Sequence, residues 1–303
     1  MKRILTSAVL IPLVLLAVFR APLSLFLLIT VVVALAAVFE YLSLVAKFGL
    51  EPFRLLTYIY TASLFVFFYY TREMAVGALL AGNLLLFLFA PFLLMTSALP
   101  REDLKAALGG AAMSYVAIPY IGLPLILLSL LRSGMYRGWV YVLFTFLAVW
   151  VGDAAAMYVG KSMGKHKLAP RISPGKTIEG SLASLIFSIA ACCLFSHYLP
   201  EIAALLSKAH LIPSSAEESL LLGTPAYGRA PLWIAALLAG VINLAAQLGD
   251  LLESALKRGA GVKDSGILVP GHGGILDRID ALLLAFPVAF LLFMGFGQKF
   301  VKG

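Results

Sequence analysis

Apolar runs of about 16 to 26 residues recur along the chain, parted by short polar segments. A hydrocarbon core about 30 Å thick takes roughly 20 apolar residues of helix. By that ruler the chain holds nine spans, near 4–19, 22–46, 55–71, 75–98, 106–131, 138–160, 178–199, 231–256 and 281–298. The first and third are short. Carboxylates fall inside three of them: Glu40 in the second, Asp153 in the sixth and Asp250 in the eighth. No strong internal repeat is present. The pattern predicts an all-α fold, a polytopic integral membrane bundle of about nine transmembrane helices.

Composition agrees. The 303 residues are 62% hydrophobic and 13% charged, with mean hydropathy +1.00; soluble domains sit near half apolar and about a quarter charged. The N-terminus "MKRILTSAVLIPLVLLAVFR" has the basic start and apolar middle of a signal peptide. It lacks a clear small-x-small cleavage site before Arg20, and another apolar run follows, so it reads as a retained first span. Cys192 and Cys193 are adjacent within an apolar run and read as buried packing residues. With the N-terminus inside, 15 of the Lys and Arg residues fall on the cytoplasmic side and 8 outside. The positive-inside rule therefore favours that orientation, although nine of the 15 come from the loops near 161–177 and 257–280. On the outer side, "EIAALLSKAHL" in the 200–230 loop is an amphipathic piece suited to the membrane surface.

Three places carry chemistry. The first is "WVGDAAAMYVGKSMGKHKLAPRISPGKTIEG", residues 150–180. Asp153, inside a span, must face protein or water. "SPGKT" resembles the end of a P-loop, but Pro170 stands where the first glycine is needed, and Ala155 does the same to "VGKS". A serine, a lysine and a threonine before a helix can still bind an anion. Glu179, in the first turn of that helix, suits its macrodipole. The second place is "NLAAQLGDLLESALKR", residues 243–258, where Asn243, Gln247, Asp250, Ser254 and Lys257 share one helix face. A polar stripe inside a span marks a bundle interior or a water-filled cavity. Interhelical hydrogen bonding alone explains Asn243 and Gln247 well, but explains Asp250 and Lys257 less well.

The third place is "KDSGILVPGHGGILDRID", residues 263–280. Pro270 disfavours helix at Val269, and Gly271, Gly273 and Gly274 leave backbone amides free to form an anion nest. Asp277 and Asp280 are three apart, on one helix face near its N-terminus. Two such carboxylates repel, and a hard cation relieves the repulsion. Mg²⁺ binds through one or two carboxylates plus waters and phosphates. Capping explains Asp277, but not Asp280, Lys263, Asp264, His272 and Arg278 around it.

Residues 254–280 resemble the signature of the phosphatidate cytidylyltransferase (CDP-diacylglycerol synthase) family, S-x-x-K-R-x-x-x-x-K-D followed by P-G-H-G-G-x-x-D-R-x-D. Ser254, Lys257, Arg258, Lys263, Asp264, Pro270, Gly271, His272, Gly273, Gly274, Asp277, Arg278 and Asp280 all match. "ISPGKTIEG" is similar to the family's S-P-x-K-T-x-E-G element through Ser173, Pro174, Lys176, Thr177, Glu179 and Gly180. The resemblance is strong over about 150–285, and the first five spans match only as generic membrane helices.

The resemblance implies Mg²⁺-dependent transfer of a cytidylyl group from CTP to phosphatidate, giving CDP-diacylglycerol and pyrophosphate in phospholipid biosynthesis. It implies residues 1–137 as N-terminal transmembrane helices, about five spans, and 138–303 as a catalytic transmembrane region of about four spans with cytoplasmic loops. Expected catalytic residues are Asp250, Lys257, Arg258, Asp264, Asp277 and Asp280. Expected substrate contacts are Ser173, Lys176, Thr177, Ser254, Lys263, His272, Gly273, Gly274 and Arg278. Asp250, Asp277 and Asp280 are the expected Mg²⁺ ligands, with Asp153 a weaker candidate, and a second cation is left open. His272 is expected to position substrate rather than act as a base, because a phosphate monoester is largely a dianion at pH 7. Expected partners are CTP, phosphatidate and membrane lipids, with no nucleic acid and with a homodimer left open. The expected location is the cytoplasmic membrane, with the site facing the cytoplasm. A polyprenol or phytol kinase would need a base for its alcohol, and the complete signature argues against it. A transporter would show inverted repeats in both halves. A CDP-alcohol phosphotransferase would carry D-G-x-x-A-R, which the chain lacks.

Overall fold

Helix fills each apolar run, and a short hairpin interrupts the series near the chemistry. The structure is a computed structural model that describes residues 2–71, 76–135, 137–212, 230–266 and 273–302. In chain order the helices begin with α1 (Lys2–Arg20), α2 (Leu23–Lys47), α3 (Arg54–Thr71), α4 (Val76–Ala98) and α5 (Leu104–Ala117). A π-turn over Ile118–Gly122 leads into α6 (Leu123–Ser133), followed by α7 (Gly138–Met163). Strands β1 (Lys167–Ala169) and β2 (Ser173–Thr177) precede α8 (Ile178–His197), α9 (Leu199–Lys208), α10 (Leu232–Gly259) and α11 (Leu276–Lys302).

Among the described residues six spans are long and apolar enough to cross a membrane: Leu23–Lys47, Leu104–Ser133, Gly138–Met163, Ile178–His197, Leu232–Gly259 and Leu276–Gly297. The chain is an integral membrane protein. Three of the nine expected spans, those of α1, α3 and α4, do not reach that standard over their described residues. Described apolar helix there covers Ile11–Arg20 and Leu84–Ala98, and the Thr and Tyr residues of α3 lower its hydropathy. The fifth expected span is a single crossing in which α5 passes into α6 through the π-turn. Pro119 and Pro124 lack the amide hydrogens that a regular ladder would use there.

Large apolar side chains such as Leu28, Ile186, Leu244 and Leu291 are exposed on the outside of the bundle, the surface that lipid solvates. Inside, α7, α8, α10 and α11 pack together around buried Phe144, Phe286 and Phe293. Gly152 lets α7 meet α10 closely, since a Cβ there would lie 2.3 Å from Nδ2 of Asn243. Cys192 is buried as expected, whereas Cys193 is half-buried. The amphipathic piece forms α9, too short at 10 residues to cross a core about 30 Å thick. The hairpin before α8 and the loop after α10 therefore lie at the same end of the bundle. Arg258 joins them directly, its Nε donating to the carbonyl of Ile172 at 3.1 Å.

Candidate active site

That end of the bundle holds a cavity of about 360 Å³ lined by Asp153, Lys176, Thr177, Ser181, Gln247, Asp250, Asp277 and Asp280, among others. Three helices deliver its four carboxylates. Asp153 comes from α7, Asp250 from α10, and Asp277 and Asp280 from the first turns of α11. The hairpin covers one side. Its strands are antiparallel, with Lys167 opposite Thr177 and Ala169 opposite Ser173. "SPGKT", read from sequence as a loop, is thus the second strand. Lys176 points inward from it and pairs with Asp250 at 2.6 Å.

Below the cavity, the stripe on α10 divides by residue type. Asn243 donates to the carbonyl of Ala148 at 3.1 Å and to Ser184 at 3.0 Å. Gln247 donates to Asn243 at 2.8 Å and accepts from Ser181 at 2.5 Å. These amides hold α7, α8 and α10 together, the structural role expected for them. One turn higher, Ser254 donates to Asp250 at 3.4 Å, and Lys257 reaches Asp277 at 2.6 Å and also pairs with Glu253.

Asp277 is the most engaged of the acids. Its Oδ1 holds Lys257, and its Oδ2 accepts from the backbone amides of Gly274 at 2.8 Å and Ser265 at 3.0 Å. Of the expected anion nest, the Gly274 amide is engaged by a side chain of the protein itself, Asp277. Gly273 adopts φ +84°, and a Cβ on it would lie 2.8 Å from Oδ2 of Asp277; only glycine suits both conditions. Gly273 and Gly274, expected at the substrate, shape this turn. Thr177, expected there too, lines the cavity but also caps α8 by accepting from Gly180 at 3.1 Å. Ser173, Arg258, Lys263, Asp264 and Arg278 are outside the cavity lining; the last four are exposed. Pro270, Gly271 and His272 lie outside the described residues.

Sequence reasoning missed two carboxylates. Glu253 was not singled out, although a Glu four residues before a Lys is a helix pairing signal. Glu40 was noticed in its span but given no role. It is buried, and it accepts from Leu276 N at 2.8 Å, Ser265 Oγ at 3.0 Å and Ile275 N at 3.1 Å. Its signal was its position, since an acid within a span is a functional candidate by default. Glu179 also does more than favour a dipole. It accepts from the amides of Lys165 and His166 and bonds the His166 ring at 2.6 Å, closing the turn before β1.

The cluster of Asp153, Asp250, Glu253, Asp277 and Asp280 sets five carboxylates against two ammonium groups, Lys176 and Lys257. Among the described residues no three acidic, His or Cys side chains converge as a ready metal cage. Mg²⁺ does not require one: it takes one or two carboxylates and completes its shell with water and phosphate oxygens. The donor set, all hard oxygens with an excess of negative charge, fits such an ion. Asp250 and Asp280 could hold it, with Asp153 lining the same cavity, whereas Asp277 already accepts from three donors.

The comparisons with known proteins point the same way. A sequence model of the cytidylyltransferase family matches residues 1–296. Phosphatidate cytidylyltransferase of Staphylococcus epidermidis is 38% identical over 156 residues, covering 52% of this chain and 50% of that protein. The enzyme of the same name from Staphylococcus aureus is 39% identical over 156 residues, with the same coverage. The chain thus spans about half the length of these relatives. With the family match running through nearly all of its sequence, the chain belongs to the cytidylyltransferase family.

Proposed function

We propose that the protein transfers the cytidylyl group of CTP to phosphatidate, giving CDP-diacylglycerol and pyrophosphate. The observation that carries this reading is the convergence of Asp153, Asp250 and Asp280 with Lys176 in one cavity at the end of a membrane bundle. A soluble polyanion and a lipid polyanion can meet there, one coming from water and one from the leaflet. Family membership and the names of the relatives support the same chemistry.

In this reading a phosphate oxygen of phosphatidate attacks the α-phosphorus of CTP. The bond from that phosphorus to the bridging oxygen of the β-phosphate breaks, and pyrophosphate leaves with the electron pair. No proton has to be removed, since a phosphate monoester has a second pKa of about 6, so the site works by positioning and charge. Mg²⁺ held by Asp250 and Asp280 would neutralise charge on the phosphates and the leaving group. Lys176 supplies an ammonium from the hairpin, held against Asp250 until a polyphosphate competes for it. Lys257 orients Asp277, which closes the turn ahead of α11. Arg258 braces the hairpin through Ile172. Lys263 and Arg278, exposed at the same end, provide positive charge for incoming anions.

The test gives purified protein CTP, dCTP or ATP with phosphatidate, with and without Mg²⁺, and identifies the lipid product by mass spectrometry. Label from the α-phosphate of CTP is expected in the lipid, and only with the divalent ion present. Lipid labelled from the γ-phosphate would mean a kinase and would overturn the reading.

The site is expected to face the cytoplasm from the cytoplasmic membrane. Arg171→Cys and Lys263→Cys, each at an exposed position in a chain with Cys192 and Cys193 changed to alanine, should react with an impermeant thiol reagent only after cells are opened. Reaction at either position in intact cells would reverse the orientation.

A further inference from the structure

Glu40 is out of place by every local criterion. It sits in α2, more than 200 residues from the signature, in a span whose mean hydropathy is 2.6. It is 1% exposed, and a carboxylate at membrane depth persists only when its environment compensates it. The compensation comes from the start of α11. Ile275 N donates to Oε1, Leu276 N donates to Oε2, and the hydroxyl of Ser265 donates to Oε2 as well. These are the first amides of a helix, which no intrahelical carbonyl can satisfy, at the end where the helix dipole favours an anion.

Two glycines make room for this contact. The three atoms nearest to a Cβ on Gly266 would all belong to Glu40, at 2.3 Å from Oε1, 2.6 Å from Cδ and 2.9 Å from Cγ. A Cβ on Gly274 would lie 2.2 Å from Oε2 of Glu40 and 2.1 Å from Ser265 Oγ. Glu40 thus caps α11 from another helix, and the turn that holds Asp277 is built around it. Asp277 and Asp280 lie in the first turns of α11, the part that frays when its leading amides lose their acceptor. Frayed, those turns no longer hold Asp280 in the cavity that it shares with Asp153 and Asp250.

We propose that Glu40 is a positioning residue, which fixes where α11 begins and so aims Asp277 and Asp280 into the cavity. Its effect on turnover rests on the proposed cytidylyl transfer; its effect on α11 does not. Both of its oxygens accept, so Glu40→Gln sets an amide donor against a backbone donor however it is turned. Glu40→Asp falls one methylene short.

The test compares wild type, Glu40→Gln, Glu40→Ala, Gly266→Ala and the double variant Glu40→Ala/Gly266→Ala in detergent. It follows hydrogen exchange across the helices, turnover of CTP and phosphatidate, and KM. Glu40→Gln is expected to speed exchange in the 273–283 peptide while α7 and α8 keep their protection. It should lower kcat about 100-fold with KM for CTP within about threefold. Gly266→Ala alone should be impaired about 30-fold by its clash. The double variant should be no worse than Glu40→Ala alone, because the clashing group is gone, whereas independent effects would multiply. Unchanged exchange at α11 in Glu40→Gln, loss of protection in all helices alike, or multiplying effects in the double variant would each overturn the role. Wild type that makes no CDP-lipid would sink the proposed function instead, and the exchange results would still decide Glu40.

Discussion

Asp250→Asn and Asp280→Asn are each expected to lower kcat about 1,000-fold, about 4 kcal/mol in barrier, in protein that still folds. Asparagine keeps the volume and removes the charge. Neither carboxylate holds the fold together through its charge alone. Asp250 meets Lys176 at 2.6 Å and Ser254 at 3.4 Å, and Asp280 accepts the amide of Ala281 at 2.7 Å, a contact that an asparagine oxygen keeps. In the proposed mechanism, what the substitutions remove is the pair of hard oxygens that would draw a divalent cation and phosphate into the cavity. Steady-state rates over a Mg²⁺ series, beside thermal unfolding in detergent, check both halves. Rates above about a tenth of wild type in both variants would exclude them as the metal's ligands. Asp277→Asn should differ in kind. Its carboxylate holds Lys257 and two backbone amides, so a loss of melting temperature should accompany the loss of rate.

These acids differ in how far sequence could reach them. The spacing of Asp277 and Asp280 placed both on one face of α11, and the signature singled them out. Asp250 followed from a polar stripe at helical spacing. Their meeting with Asp153 was only a weaker expectation, because the rotation of α7 against α10 is set by Gly152 and Asn243 at a close helix crossing. Periodicity reports which face is polar, but not which neighbour it turns to. The hairpin was invisible for another reason: strands of three and five residues are too short to show a period. Around the glycines, sequence showed a turn with free amides but not which side chains of the protein use the amides beside it: Asp277 accepts from Gly274 and Ser265, and Glu40, delivered from the far half of the sequence, accepts from Ile275 and Leu276. The helical ruler found the apolar runs but not how many cross the bilayer, since Thr and Tyr in α3 weaken a run that length alone accepts.

Lys257→Met is expected to give the largest loss of stability, about 3–5 kcal/mol, the range for stripping the partner from a buried ion pair. The ammonium lies between Glu253, whose side chain is wholly buried, and Asp277, whose side chain is 6% exposed. Neither oxygen of Glu253 completes a well-directed hydrogen bond, so the ion pair is nearly all of its compensation. Methionine matches the length of the lysine stem and packs equally well, so the loss is the charge and not a cavity. Glu253→Gln should cost far less, because Lys257 keeps Asp277 and a neutral amide is easier to bury than a carboxylate. The double variant Lys257→Met/Glu253→Gln should regain more than half of the stability lost in Lys257→Met, leaving Asp277 to its two backbone amides. It should regain little activity, since Asp277 is still without its cation and the turn ahead of α11 is less firmly set. Unfolding by SDS titration in mixed micelles measures the first part, and turnover of CTP and phosphatidate measures the second. If Lys257→Met proved as stable as wild type, the ion pair would contribute nothing. If the double variant proved no more stable than Lys257→Met, Glu253 would not be the group that Lys257 compensates.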